Sequence, residues 1–392
     1  MKNYFIHIPL FILSYLIPKK NSLILFGAGD AKQFQGNPKY MYQYLRYIHT
    51  KKIAYYWSAK SKSQREFLES IDAPYINPYS LNGFFKILRA KYLVIEKSSY
   101  DVYYIPIILG RFNFIQTWHG TPLKQIGIDR TTFENVEVKD TRMVRLLKKF
   151  KFFSRQKYKL ILSPSEEIGN IFKRAFENPK VKLTGYPRND VLYNSSLVVI
   201  NYRNQLDLNQ YKKILLYAPT FRDDNALLSP FSKDLASFNK MLKEKNYLLL
   251  IKKHPWQKSL SVPSHLSHIK DVSSIVDDIQ ELFPYIDVLV NDYSSTFFDF
   301  MLTKKPIVFY SYDLEEYLKN CRGMYFNYYQ ELPGPFASNE EELFQLLFSI
   351  EEWSKDEEYL KRYRKFLDRF NHYQDGKASQ RVFELLFPDK ML

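Results

Sequence analysis

The chain has 392 residues, a hydrophobic fraction of 45%, 32 Tyr and 31 Phe. That is too much for one small core and enough for two packed domains, so wholesale disorder is excluded. An excess of 57 Lys and Arg over 42 Asp and Glu leaves +15 and favours anionic partners, while a single cysteine, Cys321, excludes an internal disulfide framework and fits a reducing compartment.

In chain order, the first feature is the apolar stretch Tyr4 to Ile17, flanked by Lys2 and by Lys19-Lys20. It is shorter than the roughly 20 residues that span a bilayer, and Pro18-Lys19-Lys20 replaces the small-residue site expected of a cleaved signal. The expectation is a segment lying on a membrane, with a helix packed on the first domain and a true insertion or signal as alternatives. Short apolar or β-branched runs then alternate with helix-like segments, the pattern of parallel α/β layering. The spacing predicts strands near Ser22 to Ala28, Ile53 to Ser58, Tyr92 to Glu96, Phe112 to Thr117, Lys159 to Leu162 and Val181 to Gly185. Ser163-Pro164-Ser165-Glu166 reads as a helix start with Ser163 as cap. Arg142 to Lys159 carries eight basic residues and no acidic one, with Met143, Leu146, Leu147, Phe150 and Phe153 at helical spacing. This predicts a cationic amphipathic helix for an anionic membrane or a polyanion, or a solvated helix on the first domain.

The polar stretch Asn194 to Lys212 reads as a junction, after which strands are predicted near Ile214 to Ala218, Tyr247 to Ile251, Val288 to Asn291 and Pro306 to Tyr310. From Ser338, read as a cap, the chain continues as helices through Leu386. The expected organisation is an apolar segment over 1–18, a first domain over 19–200 and a second over 210–392. Gly27-Ala28-Gly29 is only a fragment of the dinucleotide fingerprint and no P-loop is present, which argues against nicotinamide chemistry and ordinary NTPases. No Cys and His cluster has zinc spacing, so no metal or cofactor is called for.

Three motifs fall directly after predicted strands, where a doubly wound sheet binds its ligands. In Trp118-His119-Gly120-Thr121-Pro122-Leu123-Lys124 the imidazole can take a proton from an attacking hydroxyl, or it is a structural loop histidine. Lys252-Lys253-His254-Pro255 presents cations suited to a diphosphate, with His254 able to bond or protonate a phosphoryl oxygen, or it is a solvated basic turn. In Asn291-Asp292-Tyr293-Ser294-Ser295-Thr296 three hydroxyls meet a helix start, which suits a phosphate or merely caps the helix, with Asp299 placed for a polyol hydroxyl. Arg188, Arg222 and Arg322 stand near strand ends and can fork onto phosphate oxygens.

Together with Gly185-Tyr186-Pro187-Arg188-Asn189-Asp190, Tyr217-Ala218-Pro219-Thr220-Phe221-Arg222-Asp223 and Arg322-Gly323-Met324-Tyr325-Phe326, these stretches in this order resemble the CDP-glycerol glycerophosphotransferase family, which includes teichoic acid polymerases and primases. The resemblance implies a GT-B architecture: two Rossmann-like domains whose parallel sheets face a cleft, acceptor on the N-terminal side and CDP-polyol on the C-terminal side. It implies that His119 is the base, with Gly120, Thr121, Pro122 and Leu123 around it. Arg188, Pro219, Thr220, Lys252, Lys253, His254, Ser294, Ser295 and Asp299 would line the donor site. The implied partners are CDP-glycerol or CDP-ribitol, a polyprenyl-diphosphate-linked or polyol-phosphate acceptor, and an anionic membrane surface at the cytoplasmic face. A nucleotide-sugar glycosyltransferase of the same architecture is the alternative enzyme. Nucleic acid is not an expected partner, since only charge and aromatic content point to it.

Overall fold

The computed structural model describes residues 13–103, 111–129, 158–220, 235–253, 262–320 and 323–388. The apolar stretch before residue 13, the basic segment over 142–157, and Arg222, His254 and Arg322 lie outside the described residues.

Two parallel sheets organise the chain. The first comprises β1 (Lys20–Phe26), β2 (Ala54–Ser58), β3 (Tyr75–Ile76), β4 (Ala90–Ile95), β5 (Asn113–Gln116), β6 (Tyr158–Ser163) and β7 (Val181–Leu183), in the order β3-β2-β1-β4-β5-β6-β7. The second comprises β8 (Lys213–Tyr217), β9 (Tyr247–Ile251), β10 (Ile269–Asp271), β11 (Val288–Asn291), β12 (Ile307–Tyr310) and β13 (Phe336–Ala337), in the order β10-β9-β8-β11-β12-β13. Central strands such as β9, with all five residues of Tyr-Leu-Leu-Leu-Ile buried, are apolar throughout because helices cover both faces of the sheet. Each sheet reverses its winding once, between β1 and β4 and between β8 and β11, and crevices open at the carboxyl ends of those strands. This is the two-domain GT-B arrangement that the family resemblance implies.

Every strand predicted from sequence is present within two residues at its ends. The three unpredicted ones, β3, β10 and β13, are outer strands of two or three residues, too short to carry a period. Two caps are corrected. The helix Glu166–Ala175 is capped by Ser165, whose Oγ accepts from Ile168 N–H, whereas Ser163 ends β6 and donates to the Ser165 carbonyl at 2.7 Å. The helix Glu340–Phe348 is capped by Asn339, whose Oδ1 accepts from Glu342 N–H at 3.0 Å. Ser338 instead donates from N–H and Oγ to the Glu342 carboxylate, both at 2.8 Å. In both cases the residue nearer the first turn has the extended backbone a cap requires.

The last helix among the described residues packs on the first sheet. Asp190 accepts from the Ala378 and Ser379 N–H groups at 2.9 and 2.8 Å, anchoring the N-terminus of the helix Ala378–Leu386 with a carboxylate. Beyond it Phe383 stacks on Tyr44 and Phe387 meets Tyr92 edge-on, so residues 378–387 share a core with β1 and the helix Gly36–Tyr47.

Candidate active site

His119 stands three residues beyond β5 on a loop whose backbone is fixed residue by residue. Trp118 adopts a φ of +57°, a left-handed conformation that costs a bulky residue energy and persists only when its surroundings impose it. They do: Trp118 N–H donates to Gln116 Oε1 at 2.9 Å, its carbonyl accepts from Asn37 Nδ2 at 2.9 Å, and its indole packs edge-on against Phe176. The exposed His119 ring lies 4.4 Å from the indole, with Nδ1 3.5 Å from the Glu96 carbonyl at the edge of hydrogen-bond range.

The lobes meet at the next residue. A Cβ on Gly120 would lie 3.1 Å from Ser295 Oγ and 3.4 Å from Arg188 Nη2, tighter than ordinary contact, so glycine lets the histidine loop lie close to the hydroxyl run after β11 without pressing on either side chain. Arg188 bonds both sides: Nη1 donates to the His119 carbonyl at 2.7 Å and Nη2 to Asp299 Oδ2 at 2.5 Å. Asn189 Nδ2 donates to the other Asp299 oxygen at 2.8 Å. Asp299, expected to meet a polyol hydroxyl, thus has both oxygens engaged in joining the lobes. Farther along the same loop, Gln125 N–H donates to the Gly323 carbonyl at 2.7 Å and Tyr325 N–H to the Leu123 carbonyl at 3.0 Å. Thr121, Pro122 and Leu123 are buried beneath this seam.

On the second sheet the switch point is closed by Asp292. It is fully buried and accepts from Thr220 N–H at 2.8 Å and from Thr220 Oγ1 at 2.5 Å, which ties the Pro219-Thr220 turn after β8 to the end of β11. Asp292 is therefore a brace. Ser294 and Thr296 share a hydroxyl bond at 2.7 Å, and Ser294 Oγ also accepts Thr296 N–H, so part of this run is spent on capping. Lys253 pairs with Asp271 at 2.7 Å and its N–H bonds Ser273, which makes it partly a structural cation. Lys252 is half-buried, and burial lowers its pKa against the pull of Asp277, Asp278 and Asp271.

Several buried groups here are not among the site residues expected from sequence. Glu96 is 3% exposed, accepts Gly29 N–H at 3.3 Å, and has its carboxyl pushed up to about 8 by burial and then by neighbouring Asp101. Asp101 Oδ2 holds the turn after β4 by accepting the N–H groups of Glu96, Lys97 and Ser98. Asn37 braces the histidine loop, and Asn189 accepts from Gln280 at 2.9 Å. Lys39 reaches Asp278 at 3.0 Å and Glu281 at 2.9 Å in a buried triad joining the lobes. Of these, Asn189 lies in the motif stretch Gly185 to Asp190, and Asn37 carried a signal in the helix-start sequence Gly36-Asn37-Pro38. Among the described residues no group of three or more His, Cys, Asp or Glu could hold a metal ion, and no helix is long and apolar enough to cross a membrane.

The arrangement places an exposed imidazole, a shared arginine and a hydroxyl run around one seam, with a half-buried lysine just after β9 on the second sheet, equipment suited to phosphoryl transfer by positioning and charge. Residues 10–388 match the model of the family described as CDP-Glycerol:Poly(glycerophosphate) glycerophosphotransferase. The teichoic acid glycerol-phosphate transferase of Staphylococcus aureus is 34% identical over 95% of this chain and 94% of its own length. The teichoic acid poly(glycerol phosphate) polymerase of Bacillus subtilis is 30% identical over 96% of this chain, which spans 50% of that protein. Among solved structures, a variant of the wall teichoic acid polymerase TagF soaked with CDPG aligns with a TM-score of 0.78 at 29% identity, covering 97% of this chain and 92% of that one. This chain belongs to the CDP-glycerol:poly(glycerophosphate) glycerophosphotransferase family.

Proposed function

We propose that the protein transfers glycerol phosphate or ribitol phosphate from a CDP-polyol to a hydroxyl of a lipid-linked or polyol-phosphate acceptor in teichoic-acid-like polymer synthesis. The acceptor oxygen attacks the phosphorus that bears the polyol, the bond from that phosphorus to the oxygen of the CMP phosphate breaks, and a phosphodiester and CMP result. His119 takes the proton of the attacking hydroxyl. Arg188 and Lys252 offset charge on the phosphoryl oxygens, with Ser294, Ser295 and Thr296 donating from the end of β11 and the Pro219-Thr220 turn shaping the cytidylyl side. Arg222, His254 and Arg322 join this set on sequence grounds. The enzyme works at the cytoplasmic face of a membrane, held by its apolar N-terminal stretch and the basic segment Arg142 to Lys159.

The observation that carries the reading is the approach of Gly120 to Ser295 Oγ, which brings the histidine loop of one lobe against the hydroxyl run of the other. A donor panel tests it. CMP release from CDP-glycerol or CDP-ribitol, with a product heavier by one polyol phosphate, is the expected result. UDP release from a UDP-sugar with no CMP release would replace it with glycosyl transfer.

A further inference from the structure

A second cleft, about 220 Å³ in volume, opens between the lobes on the outer side of β1. Its first wall is the turn Gln33 to Gln35 after β1, its second the helix Lys62–Ser70 after β2, and its third the segment 277–281 of the other lobe. Gln64 decides what this cleft is for. Ser61-Lys62-Ser63-Gln64 is a capping-box sequence, and Ser61 Oγ duly accepts Gln64 N–H at 3.2 Å. The reciprocal bond from the Gln64 side chain is absent. The residue is only 6% exposed, lines the cleft, and leaves both Nε2 and Oε1 without a hydrogen-bond partner among the described residues. A buried primary amide with donor and acceptor both unmet is costly, and a ligand that supplies both relieves the cost.

The walls select the ligand's charge. Asp277, Asp278 and Glu281 face the cleft against Lys32 and Lys39, and the Lys39 ammonium is already bonded to two of the three carboxylates. A phosphate entering here would meet more negative than positive charge. A hydroxyl group, in contrast, both donates and accepts, as Gln64 needs, and Phe34 and Phe67 offer apolar faces for a carbon skeleton. The cleft is also tied to the histidine loop: the turn Gln33 to Gln35 leads into Asn37, whose Nδ2 bonds the carbonyls of Thr117 and Trp118 just before His119.

We propose that this cleft is a subsite for an uncharged, hydroxyl-rich segment of the acceptor, a sugar or polyol unit, read by the Gln64 amide. The proposal rests on the transfer reaction inferred above. Its test is saturation-transfer NMR on the full chain with methyl glucoside and glycerol as uncharged probes and glycerol 3-phosphate as the charged one. Both neutral probes bind the native protein, and Gln64→Leu, which keeps the volume and removes the amide, weakens them about tenfold. The variant's thermal midpoint stays at or above the native one, because an unmet buried amide has gone, and its KM for CDP-glycerol is unchanged. Asp277→Asn, at an exposed position, retains neutral-probe binding and admits glycerol 3-phosphate more readily. Equal probe binding by native protein and Gln64→Leu overturns the subsite, as does Gln64-dependent preference for glycerol 3-phosphate. A native protein that releases no CMP from any CDP-polyol overturns the reaction instead, and the binding comparison reads the cleft independently.

Discussion

His119 is an exposed side chain on a loop fixed by its neighbours, so its chemistry and the protein's stability are separable. His119→Ala is expected to lower the rate of CMP release by about 10² to 10⁴-fold if the imidazole is the base, with the melting midpoint little changed. Near-normal turnover in the folded variant would remove it from that role. Glu96, one strand away, behaves in the opposite manner because it is buried. Its carboxyl is pushed up to about 8, against 4.5 for the free side chain, so the folded state holds a proton that the unfolded chain has released between those values. Its stabilising contribution is therefore full below about pH 4.5 and is lost as pH rises through 8. Within that window one extra bound proton is worth about 1.4 kcal/mol per pH unit. Denaturant titrations of Glu96→Gln should show a shallower fall in stability from pH 5 to 8 than the native protein shows, and matching slopes would assign the fall to other groups.

At the scale of elements, two devices hold the switch point and the lobes. Gly27 follows β1, and a Cβ there would sit 1.9 Å from the Asp101 carbonyl, which belongs to the turn after β4 and has no side-chain freedom with which to retreat. Gly27→Ala is expected to destabilise by about 3 kcal/mol, at the upper end of overpacking costs, and an urea midpoint equal to the native one would show that the two turns can part. The second device is the triad of Lys39, Asp278 and Glu281. Burial pushes the Lys39 ammonium toward neutrality, but the two carboxylates outweigh it and hold its pKa above the ordinary value. Lys39→Met leaves two buried carboxylates facing each other and should cost about 3 to 5 kcal/mol. Adding Asp278→Leu and Glu281→Leu should recover most of that loss. Additive losses across the three substitutions would mean that the triad is not the unit holding these elements.

At the scale of the whole molecule, what could be read from sequence follows from how far each signal reaches along the chain. Central strands announced themselves because a doubly covered parallel strand must be apolar at every position, as Leu23 to Phe26 and Leu248 to Ile251 are. The motifs around His119, Thr220 and Asp292 were legible because they sit at strand ends where ligands bind. What escaped was long-range pairing: Lys39 with Asp278, Asn37 with the carbonyl of Trp118, and Asp299 taken up by Arg188 and Asn189 all join residues about 80 to 240 positions apart, and no local pattern says which distant residue each will meet. The last property belongs to no single element: a net charge of +15 with eight basic residues in Arg142 to Lys159. Each such residue near an anionic bilayer contributes about 1 kcal/mol, and that attraction is cut as the screening length falls from about 10 Å at 0.1 M salt to about 3 Å at 1 M. Sedimentation with vesicles carrying anionic lipid should therefore show binding that falls steeply with salt, and the combined substitution Lys148→Glu, Lys149→Glu and Lys151→Glu should weaken it by tenfold or more at low salt. An apolar anchor alone behaves differently, holding neutral and anionic vesicles equally at any salt concentration, and that result would assign attachment to Tyr4 to Ile17 and leave the basic segment for a polyanionic chain.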